Sequence, residues 1–124
     1  MEHPSLFDAP PVPPPGPGAA VPAAVSRAVS LDPLIHERVR LGIVTALAGS
    51  ERRAFVELRD ALGITDGNLS AHVRKLEQGG IVECRKRFEG RVPRSEYRLT
   101  TRGRAAFATY LFRLESILGA ARRR

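Results

Sequence analysis

The stretch "TDGNLSAHVRKLEQGGIVE", Thr65–Glu83, changes character twice. It opens on a hydroxyl residue fit to cap a helix, through the N–H of Gly67 or Asn68. Leu69, Val73 and Leu76 then recur at helical spacing, which predicts a helix from Asp66 to about Gln78. Gly79 and Gly80 break that period, and Ile81 onward reads as a strand. Immediately upstream, "FVELRDALG" places Phe55, Leu58, Ala61 and Leu62 at helical spacing, and Gly63 stops that helix. The three residues "GIT" form the turn between the two. Helix, short turn and second helix with an inward Leu/Val/Leu stripe is the helix-turn-helix pattern.

Working outward, "IVECRKRF" alternates Val82 and Cys84 with Glu83, Arg85 and Arg87, and "RSEYRL" alternates Tyr97 and Leu99 with Glu96 and Arg98. "EGRVP" lies between them with turn residues, so the pair reads as a hairpin with one apolar and one charged face. Toward the N-terminus, "LDPLIHERVRLGIVTALAG" predicts a helix capped by Asp32, with Pro33 in its first turn and an end near Ala48 before Gly49. Ile35, Val39, Gly42, Ile43 and Ala46 share one face; Leu34, Leu41, Val44 and Ala48 share roughly the other. Beyond "LTTRG", with Thr100 or Thr101 as cap, a final helix carries Phe107, Tyr110, Leu111, Leu114, Ile117 and Leu118 as a broad apolar stripe. The expected architecture is mainly α with a small β-hairpin wing (α+β). Residues 31–120 form the domain, and 121–124 a basic C-terminal tail. Residues 1–30 hold eight of the ten prolines and read as a disordered or polyproline-II tail, because proline lacks the N–H and fixes φ.

The chain has 124 residues, enough for one domain, and its 43% hydrophobic content can fill a small core. It has no long apolar run, which predicts no membrane span, and its start lacks the basic and apolar segments of a signal peptide. One cysteine, Cys84, excludes an intramolecular disulfide and fits a reducing cytoplasm. The formal net charge is +7 and it is unevenly placed. Arg85, Lys86, Arg87, Arg91, Arg94, Arg98, Arg102 and Arg104 face only Glu89 and Glu96 across one short region. Such clustering points to a polyanionic partner.

The predicted helix 66–78 says which polyanion. With Leu69 at the centre of the inward face, a 100° step per residue points Gly67, Ala71 and Arg74 directly away, flanked by Asn68, Ser70 and Lys75. The outward face is small near the helix start and cationic near its end. Small residues let a backbone approach the major groove, an amide or hydroxyl meets base edges, and basic residues meet phosphates. On the hairpin, Gly90 permits a tight tip with Arg87, Arg91 and Arg94 around it, and arginine suits a narrow minor groove. The expected DNA-binding residues are therefore Thr65, Gly67, Asn68, Ser70, Ala71, Arg74, Lys75, Arg87, Arg91 and Arg94. The two-faced first helix and the wide stripe of the last exceed what one small core uses. They predict a two-fold homodimer through Leu34, Leu41, Val44, Phe107, Tyr110, Leu111, Leu114, Ile117 and Leu118.

Residues 31–118 resemble the winged helix-turn-helix transcriptional regulators, nearest the short single-domain bacterial group related to the MarR and ArsR types. "TDGNLSAHVRKLEQGGIV", the wing "KRFEGRVPRSEYRLT" and "LTTRGRAAF" at the head of the last helix carry the resemblance. It implies a recognition helix near 66–78 in the major groove and a basic wing, about 85–98, on the backbone or minor groove. It further implies outer helices that form a homodimer, and a cytoplasmic regulator of transcription. Asp66 departs from the basic or hydroxyl residue many relatives hold there. It suits the helix dipole, and either lies toward the protein body or accepts from a cytosine amino group.

No pattern supports an enzyme, a cofactor or a metal. His3, His36 and His72 have no carboxylate or cysteine cluster at ligand spacing, Cys84 has no CxxC partner, and no phosphate-binding glycine loop is present. His72 is expected to pack at the edge of the helix interface, and Cys84 on the inner face of the wing. The rival reading is a winged-helix protein-interaction module that docks through the proline-rich tail; the basic wing argues against it. Operator, regulated genes, direction of regulation and any small-molecule effector are not encoded legibly.

Overall fold

A computed structural model describes Val21 and residues 23–123. Its elements in chain order are α1 (Ala23–Val29), α2 (Arg38–Ala48), β1 (Arg53–Ala54), α3 (Phe55–Leu62), α4 (Asp66–Gln78), β2 (Val82–Glu89), β3 (Val92–Leu99) and α5 (Thr101–Arg122). Helices dominate, and one antiparallel sheet of order β1-β3-β2 stands at the side. The mainly α fold with a small wing and a long C-terminal helix is the architecture expected. The proline-rich segment 1–20 lies outside the described residues.

The helix-turn-helix forms as its caps dictate. The Gly63 N–H donates to Arg59 O at 2.9 Å and ends α3. Thr65 Oγ1 accepts from the Asn68 N–H at 3.1 Å and starts α4. Glu57 reaches back to accept from the Ala54 N–H at 2.9 Å, steadying the first turn of α3. The far end of α4 closes in a Schellman arrangement: Ile81 N–H donates to Leu76 O and Gly80 N–H to Glu77 O. That closure needs a left-handed residue, and Gly80 supplies it at φ 75°. Leu69, Val73 and Leu76 are all buried beneath α4. Each contributes about 1.5–3 kcal/mol of burial, which is what stabilises a helix too short to persist alone.

β2 and β3 pair Val82 with Leu99 and Cys84 with Tyr97, so the predicted apolar face lies on the core. Thr100 ties this sheet to α5. Its N–H donates to Ile81 O, its hydroxyl donates to Gly80 O at 2.6 Å, and Oγ1 accepts from the Gly103 N–H. β1 adds two residues to the other edge of β3, with Arg53 opposite Tyr97.

Three expectations are corrected. The first core helix begins at Arg38 rather than after Asp32, because Glu37 is the residue whose carboxylate accepts from the Arg40 N–H, at 2.8 Å. Asp32 instead accepts from the Leu34 N–H, at 2.9 Å, and closes a turn that still buries Leu31 and Ile35. The tail expected through Ser30 contains a helix, α1, which packs along α5. There Arg27 donates to Ser116 Oγ at 2.8 Å, and Arg113 to Ser30 O at 2.9 Å. Val44, Phe107 and Tyr110, expected at a dimer surface, are buried within the single chain. Leu34, Leu41, Leu114 and Ile117 are half-buried against the same core.

Candidate nucleic-acid interface

With its apolar stripe locked inward, α4 shows solvent the face expected. Thr65, Gly67, Asn68, Ala71, Arg74 and Lys75 are exposed, and Ser70 is half-buried at the margin. The Thr65 oxygen is engaged by its cap, leaving its hydroxyl proton free to donate. Among the described residues, Arg74 and Lys75 enter no ion pair or side-chain hydrogen bond. Asp66 does: its Oδ1 accepts from Arg59 Nη1 at 3.0 Å. That bond first, and then the Asp60 carboxylate, raises the Arg59 guanidinium above its usual range. The negative charge at the head of α4 is thus paired with Arg59 of α3.

His72 seats the middle of α4. Arginine can only donate, so His72 Nδ1 accepts from Arg40 Nη1, 3.0 Å away. Glu37 Oε1 lies 3.6 Å from the same ring nitrogen. Arg40 also donates to Leu34 O at 2.6 Å, so one guanidinium links the turn before α2 to α4. Desolvation raises the Glu37 carboxyl, but the backbone N–H groups of Arg40 and Val39, with the charge of Arg40, outweigh it. The group therefore lies below the ordinary carboxylate range.

The wing carries a ladder of charge on its outer face. Register sets Arg87 directly opposite Arg94, a repulsive pair taken alone. Diagonal partners relieve it: Arg87 donates to Glu96 at 2.8 Å and Arg94 to Glu89 at 3.1 Å. Arg98 pairs with Glu83 further down, and Arg52 approaches Glu96 at 3.7 Å. Of the three expected wing arginines, then, two have carboxylate partners. Arg91, beside Gly90 at φ 68°, has none among the described residues. Arg85 and Lys86 are exposed and equally unpaired, although alternation and charge had named only Arg87, Arg91 and Arg94 as contacts. The period-two pattern gives the face of a side chain but not its ion-pair partner, which depends on register. Below the ladder, Tyr97 is buried beside half-buried Cys84. Burial, then the neighbouring thiol, pushes its phenol above the ordinary range, so it stays neutral.

No group of three or more His, Cys, Asp or Glu side chains among the described residues is arranged to hold a metal ion. No described helix is long and apolar enough to cross a membrane.

Comparison with known proteins agrees with this geometry. An uncharacterised protein of Methanocaldococcus jannaschii is 40% identical over 82 residues, spanning 65% of this chain and 88% of that one. A solved transcriptional regulator homologue from Pyrococcus horikoshii OT3 superposes with TM-score 0.74 at 26% identity, covering 78% of this chain and 98% of that one. The homodimeric winged helix-turn-helix DNA-binding domain of a possible ArsR-family regulator from Mycobacterium bovis superposes with TM-score 0.54 at 26% identity. It covers 76% of this chain and 82% of that one. The winged helix DNA-binding domain family matches residues 39–118, from the first buried position of α2 to the last turns of α5. With α4, the wing and the greater part of α5 all in that span, the chain belongs to the winged helix DNA-binding domain family.

Proposed function

We propose that the chain is a sequence-specific, double-stranded DNA-binding regulator of transcription acting as a cytoplasmic homodimer. In this reading α4 lies in the major groove. Asn68 and Ser70 meet base edges, and Arg74 and Lys75 meet phosphates. Gly67 and Ala71 keep the approach close, and Thr65 donates at the helix head. The wing reaches the backbone or minor groove through Arg91, with Arg87 and Arg94 exchanging their glutamate partners for phosphate where the duplex comes near.

One observation carries the reading. A helix fixed by three buried side chains presents an amide and two cations that satisfy nothing else among the described residues. Rigid, unpartnered donors on a small-residue face are what groove recognition requires. The M. bovis neighbour, a homodimeric DNA-binding domain, supports the assembly as well as the ligand.

Selection of bound sequences from random duplex DNA tests the proposal, followed by titration of the winning duplex across a salt series. The expected result is an enriched near-palindrome whose affinity falls steeply with salt, as phosphate contacts release counterions. Recovery of unenriched sequence, with affinity independent of salt, would overturn it.

A further inference from the structure

Beyond Cys84 and Tyr97 the hairpin outruns the body of the domain. The inner face of β2 continues as Lys86 and then Phe88, which falls on the same face as Val82 and Cys84, opposite Pro93. Val82 is buried, yet Phe88 is 70% exposed, and Val92, just past the turn, is 52% exposed. Scattered exposed apolar residues are ordinary and need no explanation. Phe88 differs in its setting. A paired strand holds it at fixed register two residues from the turn, at the tip of a hairpin that carries six basic residues, Arg85, Lys86, Arg87, Arg91, Arg94 and Arg98. Lys86, two residues back on the same face, and Arg91, at the turn, are exposed beside it without partners among the described residues. The nearby carboxylates are engaged, Glu89 by Arg94 and Arg87, Glu96 by Arg87 and Arg52. The tip is a phenyl ring within a positive field.

Few partners answer both features at once. A duplex does, since it offers dense negative charge on its strands and apolar stacking surface between its base pairs. We propose that Phe88 is a wedge that enters a base step from the minor groove while Lys86 and Arg91 hold the flanking phosphates. The inference rests on the wing being a DNA contact, and it names how that contact discriminates. A wedge partly unstacks the step it enters and kinks the duplex. Pyrimidine–purine steps unstack most easily, so the wing selects a TA or CA step by deformability, without a hydrogen bond to either base.

The test uses the full chain and a duplex recovered from random-sequence selection, with 2-aminopurine substituted in turn at each flanking adenine. Wild-type protein should raise the fluorescence at one flanking step. Phe88→Ala should abolish that rise and weaken binding about tenfold, as expected for loss of one base–aromatic contact. Phe88→Trp should restore both. Replacing the step by a stiff A-tract step should weaken the wild type and leave Phe88→Ala unchanged. Because Phe88 is exposed, the thermal midpoint of both variants should match the wild type, which separates the effect from misfolding. Phe88→Ala with undiminished fluorescence and affinity overturns the wedge alone, whether the ring is idle or serves a protein partner. A wild-type chain that binds no duplex overturns the wedge and the DNA-binding reading together.

Discussion

At the scale of single residues, the contacts proposed for α4 are of two kinds that mutagenesis can tell apart. Arg74→Ala and Lys75→Ala should each weaken binding to all sequences and lower the salt slope by about one. Asn68→Ala and Ser70→Ala should leave the slope and alter the selected motif, at about 1–3 kcal/mol for the affected base pair. A salt series and a repeated selection distinguish them, and equal effects from all four would remove the division. Asp66 behaves oppositely. It favours the helix dipole from the first turn of α4 and is held by Arg59. Asp66→Ala should cost about 0.5 kcal/mol in urea unfolding. It should also tighten DNA binding at low salt, because a negative charge leaves the approach and Arg59 is freed. If binding weakens instead, at one cytosine-containing position only, then Asp66 reads a base and its bond to Arg59 opens on the duplex.

At the scale of elements, the junction between sheet and last helix is less forgiving than the packing of the helices. A Cβ on Gly103 would overlap the backbone carbonyl of Ile81, which cannot move without disturbing the Thr100 bridge. A Cβ on Gly42 would come 2.7 Å from Leu62 Cδ2, the end of a flexible side chain. Gly103→Ala should therefore destabilise by about 1–3 kcal/mol. Gly42→Ala should be near neutral, since a gain of about 1 kcal/mol in helix propensity offsets the local shift. Matching urea midpoints for the two would refute the distinction. Glu37 adds a pH dependence. Its carboxyl is depressed in the folded chain, so its stabilisation is present above the ordinary carboxylate range and is lost as pH falls through and below that range. Over that window the melting temperature of the wild type should drop more steeply than that of Glu37→Gln; parallel curves would show that the cap carries no linkage. These elements differ in how legible they were. Thr65, Gly63, the Leu69/Val73/Leu76 stripe and the strand alternation are local signals, and each produced its element where expected. The start of α2 was not legible, since Asp32 and Glu37 both have capping chemistry and only tertiary packing of Leu31 and Ile35 chooses between them. The ion pairs of the wing were not legible either, because they follow from a register that pairs Arg87 with Arg94. Nor was α1, whose weak helical sequence forms against α5.

At the scale of the whole molecule, the hairpin carries the densest charge, and α5 carries three of the eight exposed large hydrophobic side chains among the described residues. α5 turns Phe107 and Tyr110 into the core, yet apolar side chains at the edge of that stripe, Leu111 and Leu118, and outside it, Phe112, stay exposed. Leu111, Phe112 and Leu118 are 41%, 69% and 42% exposed, beside exposed Ala105 and Ala108. α1 adds Val25 and Val29, both exposed. A surface helix normally sets charge on its outer face, so this composition marks a contact. Phe112 was absent from the stripe read in the sequence, because that stripe ran through Phe107, Tyr110 and Leu114 toward this chain's own core. The predicted homodimer therefore moves around the helix, to Leu111, Phe112 and Leu118. Two copies related by a two-fold axis would cover this face in one self-complementary interface. They would set two copies of α4 about one helical turn of DNA apart, roughly 34–36 Å, and the operator should then be a near-palindrome. Leu111→Glu with Phe112→Glu is the discriminating variant, since both positions are exposed and neither charge enters the core. Leu114→Glu would be a poor choice, because half-buried Leu114 packs against that core. The double variant should sediment as a monomer at micromolar concentration and keep a cooperative thermal transition. Its affinity for a palindromic duplex should fall by orders of magnitude, while affinity for one half-site is retained. A wild-type chain that sediments as a monomer and selects a single, non-repeated site would sink the dimer, and would leave the apolar face of α5 for another partner.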